Sequence, residues 1–580
     1  MRSRFYRPIL VASLVALLGL GAACEHRRGP TSALERSVVA APEEQAADVG
    51  GEILRRGGNA VDAAIAVQFT IAVTNAIGTG IGGGGFMLIH DPKTREVVAL
   101  DYRETAPAAA HRDMFLDGHG DVDAPLSIHS ALASGVPGTV RGMAALHERY
   151  GSMPWAELLQ PAIDLAENGF RIDPWTAGKI DEYSDVFALV DQRFREQVEF
   201  RLYFEKGADR MSAPDLAGTL RRIAEQGPDE FYRGRTSELI VEEMARGGGL
   251  ITAADLAAYR PVWREPVEGR YRGYRIVSMP PPSSGGVILI EFLNMLEDFE
   301  PPPPLSPAQV HLVAEAAKRT FADRAEFLGD PAFADVPVDV LTDKGYARSR
   351  AAGIDLERRT DPTTIKAGDI PVQVSVDGQT THFSIVDRDG LAVSNTTTLN
   401  TGYGSGIIVD GAGFLLNSQM NDFSAKPGVP NVYGVTGSAA NEIAPGKRPL
   451  STMTPTMIFS PQGDLMLVLG SPGGSTIIST VLEVILNVVD YGLPLAEAVD
   501  LPRFHHQWPP VKPGTDPIFI ETDERYGLPP ETLKALSALG YTFSEIESLG
   551  DVQAVEIDGR RVTGVFDQRR TGGVVSVDAR

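Results

Sequence analysis

Between Gly57-Gly58-Asn59 and about Ala76 the chain is apolar on nearly every side. The run Ala60-Val61-Asp62-Ala63-Ala64-Ile65-Ala66-Val67-Gln68-Phe69 has no polar stripe, the pattern of a helix buried all round. It ends at Gly78-Thr79-Gly80-Ile81-Gly82-Gly83-Gly84-Gly85, which opens a strand pattern, Phe86-Met87-Leu88-Ile89-His90. A turn at Asp91-Pro92-Lys93 leads to a second strand, Val97 to Tyr102. Helical patterns then dominate to about Glu326, divided by Pro and Gly breaks at 135–138, 280–286 and 301–304. From roughly Gly345 to Gln379 the chain is polar and poor in periodicity, as an exposed segment is.

Beyond Thr380 strands prevail. Thr381, Phe383 and Ile385 alternate with His382, Ser384 and Val386 up to Asp387-Arg388-Asp389-Gly390. That tetrad reads as a type I turn with Gly390 in the left-handed position of a bulge. Pairing Asp387 with Leu391 and counting outward sets Thr380 opposite Thr398. Asn400, two residues on, then points to the same face. Thr is a common strand residue, so the pattern alone also fits a Thr-rich edge hairpin. Helical patterns return at 477–489 and 530–539, and alternation resumes through 562–577. Strands bracketed by helices, with two β-rich stretches far apart, predict a layered α+β sandwich.

Composition narrows the classes of function. With 580 residues, 43% hydrophobic, the chain can bury a large core, and its net charge of -23 argues against nucleic acid or anionic membrane surfaces as partners. Residues 1–23 read as an export signal: Arg2, Arg4 and Arg7 precede an apolar run from Ile9 to Leu20 that is too short for a comfortable membrane span. Cys24 is the sole cysteine, which excludes intramolecular disulfides and thiolate metal sites. Its place after Gly21-Ala22-Ala23 makes it a lipidation candidate, with residues 24–36 as a polar tether. Gly21 stands where such signals usually have Leu, so ordinary signal cleavage is the alternative. A single acyl chain would not anchor it stably.

The glycine cluster contains a formal GxGxxG match from Gly80 to Gly85. A dinucleotide fingerprint follows a strand and opens a helix, whereas this one does the reverse, so close backbone packing is the better reading. His505-His506 has no carboxylate or Cys at ligand spacing and reads as structural. No metal and no cofactor is expected.

Thr380 offers different chemistry. A hydroxyl is a poor nucleophile unless a base takes its proton, and the α-amine of an N-terminal Thr, with a pKa near 8, supplies one on the same residue. Cutting the bond between Gln379 and Thr380 would create that arrangement. The Gly-rich turn Gly470-Ser471-Pro472-Gly473-Gly474-Ser475 could aim backbone N–H groups at a developing oxyanion, or could be merely a strand-to-helix turn.

Thr380-Thr381-His382, Thr398-Leu399-Asn400, Leu416 to Phe423, Arg448 to Met453 and Gly470 to Gly474, together with Tyr102-Arg103-Glu104 and Gly82 to Phe86, resemble the γ-glutamyltransferase family. The likeness runs from about Ser37 to near the C-terminus. It implies the four-layer αββα fold of N-terminal nucleophile hydrolases. It also implies a proenzyme that cuts itself into a large segment, 37–379, and a small one, 380–580, which remain together as a heterodimer within one domain. By the same resemblance Thr380 is the nucleophile, Thr398 orients it, and Gly473 and Gly474 bind the oxyanion. Arg103, Ser451 and Thr452 would hold the α-carboxylate of a γ-glutamyl group, and Asn400, Gln419 and Asp422 its α-ammonium. Lys426 to Tyr433 fits a lid loop that cephalosporin acylase relatives lack. Glutathione and other γ-glutamyl compounds are the implied donors, and water, amino acids or peptides the acceptors. A cephalosporin or glutaryl acylase-like amidase, or an inactive binding homologue, are the alternatives.

Overall fold

The computed structural model describes residues 33–187, 192–194, 209–367, 380–509 and 515–578. The export signal, Cys24 and Gln379 lie outside the described residues.

Among these residues two large antiparallel sheets dominate. The seven-stranded sheet runs, edge to edge, Gly573–Asp578, Arg36–Ala41, Thr381–Val386, Ala392–Thr398, Gly84–Asp91, Glu96–Asp101 and Val262–Arg264. The six-stranded sheet runs Arg561–Phe566, Gln553–Asp558, Leu465–Gly470, Thr456–Phe459, Tyr274–Ser278 and Val267–Tyr271. Segments before residue 368 and after 379 therefore interleave in both sheets.

Strand alternation builds the layers. Along Arg36–Ala41, Val39 and Ala41 face one apolar core with Ile65, Phe69, Phe383 and Ile385, while Val38 and Ala40 face a second with Phe86, Leu88, Met457 and Val468. The first core is closed by helices Glu44–Arg55 and Ala60–Thr74, the latter buried at every residue as its pattern predicts. Asn59 starts that helix with a capping box, its Oδ1 accepting from the Val61 and Asp62 amides at 2.9 Å each. The second core is closed by helices Gly285–Leu296, Pro307–Phe327 and Ile477–Val489. The sheets touch through hydroxyls: Ser384 Oγ donates to Gln553 O at 3.0 Å and Ser394 Oγ to Leu469 O at 2.9 Å. The result is helix, sheet, sheet, helix.

The glycine cluster owes its composition to close approach. A Cβ on Gly82 would stand 2.1 Å from Leu415 O and one on Gly83 2.1 Å from Thr398 O, so neither position has room for any other residue.

Three expectations change. The hairpin is not an edge: its strands are third and fourth of seven. The stretch to Glu326 also holds strands, Val262–Arg264, Val267–Tyr271 and Tyr274–Ser278, whose frequent Arg and Glu on half-exposed positions blur the apolar alternation. Lys344–Ala351 is a helix, capped by Asp343 Oδ1 on the Tyr346 amide at 2.9 Å; its surface is polar because only Ala347 is buried.

A buried charge cluster ties helix Pro307–Phe327 to the later part of the chain. Lys318 Nζ donates to Glu315 Oε1 and to Asp516 Oδ2, both at 2.7 Å, and His506 Nε2 lies 2.8 Å from Asp516 Oδ1. Burial pushes both carboxyls up, but Lys318 at Glu315, and His506 followed by Lys318 at Asp516, outweigh it and hold each at about 2. Folded pKa values below the unfolded ones stabilise above the ordinary carboxyl range, and that contribution is lost as pH falls toward 2. Lys318→Met is expected to cost about 3–5 kcal/mol. Unfolding midpoints at pH 7 should drop in the variant, and the gap to wild type should narrow below about pH 4; equal midpoints at pH 7 would sink this reading.

Candidate active site

The hairpin has the register counted from its turn. Asp387 N donates to Leu391 O and Gly390 N to Asp387 O, each at 3.0 Å, and Gly390 has φ 88°. Pairs run from Val386–Ala392 to Thr381–Thr397, so Thr380 and Thr398 come next, with Thr380 Oγ1 donating to Thr398 Oγ1 at 3.4 Å. Both face the space between the sheets, on the same side as His382. That imidazole is locked between Thr396 Oγ1 at 2.9 Å and Ser384 Oγ at 3.1 Å, and burial pulls its pKa down to about 3, so it is a neutral spacer. Its ring abuts Gly470, where an added Cβ would stand 2.3 Å from Cε1. This contact sets the Gly-rich turn beside the hairpin.

A cavity opens over Thr380 and Thr398. Its walls bring together Arg103, Asn400, Gln419, Asp422, Tyr433, Ser451, Thr452 and Gly474 from the predicted set. Gly473 sits one residue back, at φ 135°, and Gly474 has φ 57°, backbone that favours glycine at both. Asn400 reaches the cavity by a different route from the one expected. The strand ends at Thr398, and Asn400 turns with φ 84°, its N–H donating to Thr398 Oγ1 at 2.8 Å. Its side chain donates to Ser418 O at 2.8 Å and accepts from Tyr433 OH at 2.5 Å. The Tyr433 loop thus closes onto the hairpin's end.

Arg103 and Asp422 do not stand apart as a waiting cation and anion. Arg103 NH2 donates directly to Asp422 Oδ2, and also to Leu450 O at 3.3 Å, while its Nε reaches Pro449 O at 3.4 Å. Gln419 Nε2 donates to the same Asp422 oxygen at 3.1 Å. Burial raises the Asp422 carboxyl above its ordinary range, opposed by Arg103, Arg324 and Gln419. Ser451 Oγ accepts from Met453 N at 3.1 Å, which leaves its proton for a ligand. The Thr452 hydroxyl instead donates to Gly474 O at 2.7 Å, joining the charged end of the cavity to the Gly-rich turn.

Three residues were not assigned roles from sequence. Arg324 lines the cavity from helix Pro307–Phe327, with Nε donating to Ser284 Oγ at 2.9 Å; burial pulls its pKa down to about 10, so it remains a cation. The signal was a run of charges in an Ala-rich helix with no exposed face. Asn431 approaches Asp422 Oδ1 at 3.5 Å from the loop. Glu104 is fully buried behind Arg103, 3.8 Å from its NH1, and burial pushes its carboxyl up to about 8. The His505-His506 pair is structural: His505 is held by Ser479 and Gln507, and His506 by Asp516, a carboxylate not foreseen. Among the described residues no cluster of His, Cys, Asp and Glu is arranged to hold a metal ion.

Four layers with a threonine hydroxyl at the head of a central strand, facing the inter-sheet space, place the chain among the N-terminal nucleophile hydrolases. More narrowly, it belongs to the γ-glutamyltranspeptidase family, whose profile matches residues 46–577. It is 46% identical to the glutathione hydrolase proenzyme of Escherichia coli K12 over 541 residues, 92% of this chain and 90% of the relative. Among solved structures it resembles γ-glutamyltranspeptidase from Pseudomonas nitroreducens, at 41% identity and a TM-score of 0.53, covering 56% of this chain and 97% of that one. It also resembles cephalosporin acylase from Bacillus halodurans, at 26% identity and a TM-score of 0.81, covering 97% and 100%.

Proposed function

We propose that this protein is a self-cleaving γ-glutamyltransferase that takes the γ-glutamyl group of glutathione or a related donor onto Thr380 and passes it to water or to an amine. The observation that carries the reading is one cavity holding the Thr380 hydroxyl, its Thr398 partner and the Arg103–Asp422 pair. An amino-acid head group exchanges that internal pair for two external ones. Its carboxylate takes Arg103 and the Ser451 hydroxyl, and its ammonium takes Asp422, so the buried charge stays balanced. A glutaryl donor lacks the ammonium and would leave Asp422 unpaired, which favours the γ-glutamyl reading over the acylase one.

The chemistry follows from the same residues. Scission before Thr380 frees an amine that accepts the hydroxyl proton as Oγ attacks the γ-carbonyl. The Gly473 and Gly474 N–H groups are assigned to the developing oxyanion, and the leaving amine departs with a proton. Water or an acceptor amine then opens the ester. Segments 37–379 and 380–580 stay together as one domain. Residues 1–23 direct export, and Cys24 is lipidated; no helix among the described residues is long and apolar enough to cross a membrane.

On a denaturing gel wild type should run as two fragments and Thr380→Ala as one; an uncut wild type that still splits γ-glutamyl anilide would exclude Thr380 as nucleophile. Arg103→Ala should lower kcat/KM for that anilide roughly 10- to 100-fold with cleavage intact, and loss of both would mark a folding role. Palmitate label should enter wild type and not Cys24→Ser; label in neither would leave ordinary signal cleavage.

A further inference from the structure

In the turn between strand Leu465–Gly470 and helix Ile477–Val489, three successive carbonyls are each held by a hydroxyl. Ser471 Oγ donates to Pro472 O at 2.8 Å, Thr476 Oγ1 to Gly473 O at 2.9 Å and Thr452 Oγ1 to Gly474 O at 2.7 Å. The Thr476 amide reaches the same Gly473 oxygen at 3.1 Å. Ser471 and Thr476 are 0% and 1% exposed, and neither lines the active-site cavity, so whatever they do for it they do through the turn.

A carbonyl and the N–H that follows it belong to one rigid peptide. In a trans peptide the two point in opposite directions, so fixing one aims the other. Pro472 O shares its peptide with the Gly473 N–H, and Gly473 O shares its peptide with the Gly474 N–H. Gly474 O belongs to the next peptide, which carries neither. The hold matters because glycine backbone turns freely, and here it is fixed at φ 135° and φ 57°. Among the described residues neither N–H donates to a protein acceptor, so both are directed from the carbonyl end.

The two hydroxyls are themselves placed. Asp551 N donates to Ser471 Oγ at 2.9 Å, which occupies the oxygen and leaves its proton to Pro472 O. The bend that brings Asp551 there has Gly550 at φ 83°, and a Cβ on it would stand 2.6 Å from that hydroxyl. A Cβ on Gly473 would stand 2.5 Å from Thr476 Oγ1, so that hydroxyl fills the space a side chain at 473 would need.

We propose that Ser471 and Thr476 are the positioning residues of the oxyanion donors: each holds a carbonyl from behind, so that the N–H at the other end of the peptide stays aimed at the reacting oxygen. The inference rests on the reading above, in which Gly473 and Gly474 meet that oxygen. Negative charge builds on it when Thr380 Oγ attacks and again when water or an amine opens the ester, so a donor out of line slows both steps. Ground-state binding is left alone, because in that reading Arg103, Asp422 and Ser451 hold the head group. Ser471 matters more than Thr476, whose amide keeps its hold on Gly473 O when the hydroxyl is removed.

The test measures turnover of γ-glutamyl anilide per cleaved chain, counted from the fragments on denaturing gels. Losing a donor outright costs about 100-fold or more, and misaiming one costs less: Ser471→Ala should lower kcat about 10-fold and Thr476→Val about threefold, with KM held within about twofold. A boronic acid analogue of the γ-glutamyl group, which becomes a tetrahedral anion on the Thr380 hydroxyl, should lose affinity by the same factors. Norvaline, which has the head group and no γ-carbonyl, should inhibit both variants as it does wild type. Wild-type kcat in Ser471→Ala, with or without a lower unfolding midpoint, overturns the proposal. So does a fall in kcat in which norvaline weakens equally, since the whole cavity would then have shifted. Should Ser471→Ala fold but remain uncut, Thr476→Val decides alone, and wild-type kcat in it overturns the proposal. A wild type that neither cuts nor splits the anilide would instead remove the reading beneath, and this inference with it.

Discussion

The register of the central hairpin is the constraint on which the site depends. One bulged turn at Asp387–Gly390 fixes which residues oppose one another, and a slip by one position would turn every side chain to the other face. Thr380, His382 and Ser384 would then leave the inter-sheet space, and Thr381 and Phe383 would enter it. Register is held from both sides because the hairpin is flanked by Arg36–Ala41 and Gly84–Asp91. The neutral His382 ring, wedged against Gly470, carries that register across to the second sheet.

Charge is arranged by the same economy of partners. Arg103, Asp422 and Arg324 line one small cavity and Glu104 is buried behind Arg103, a combination that only pairing makes tolerable. The Asp422 carboxylate is shared between Arg103, which contacts it directly, and the nearby Arg324 cation, so the charged end of the cavity carries an excess of positive charge.

Much of this was legible in the chain, for identifiable reasons. The buried helix Ala60–Thr74 and the hairpin are local: residue periodicity and one turn specify them. The pairing of Thr380 with Thr398 came from counting, because a short turn leaves a single register. What escaped was non-local. Arg324 reads as an ordinary helix cation until helix Pro307–Phe327 is packed against Ser284. Asn400 was placed by strand alternation that stops two residues earlier. The direct Arg103–Asp422 contact could not be told from two charges an amino acid's width apart. The half-exposed strands between Val262 and Ser278 carry too many charges to alternate cleanly.

The interleaving of the two sheets sets an order of events in time. Arg36–Ala41 lies between Gly573–Asp578 and Thr381–Val386, and Tyr274–Ser278 lies beside Thr456–Phe459. Neither segment holds a whole sheet, so neither has a core of its own to fold around. For the scission proposed above, folding of the intact chain would come first and the cut second. Pieces made separately would each present unpaired central strands, so the proposed cut would act late, as an edit to a structure already finished.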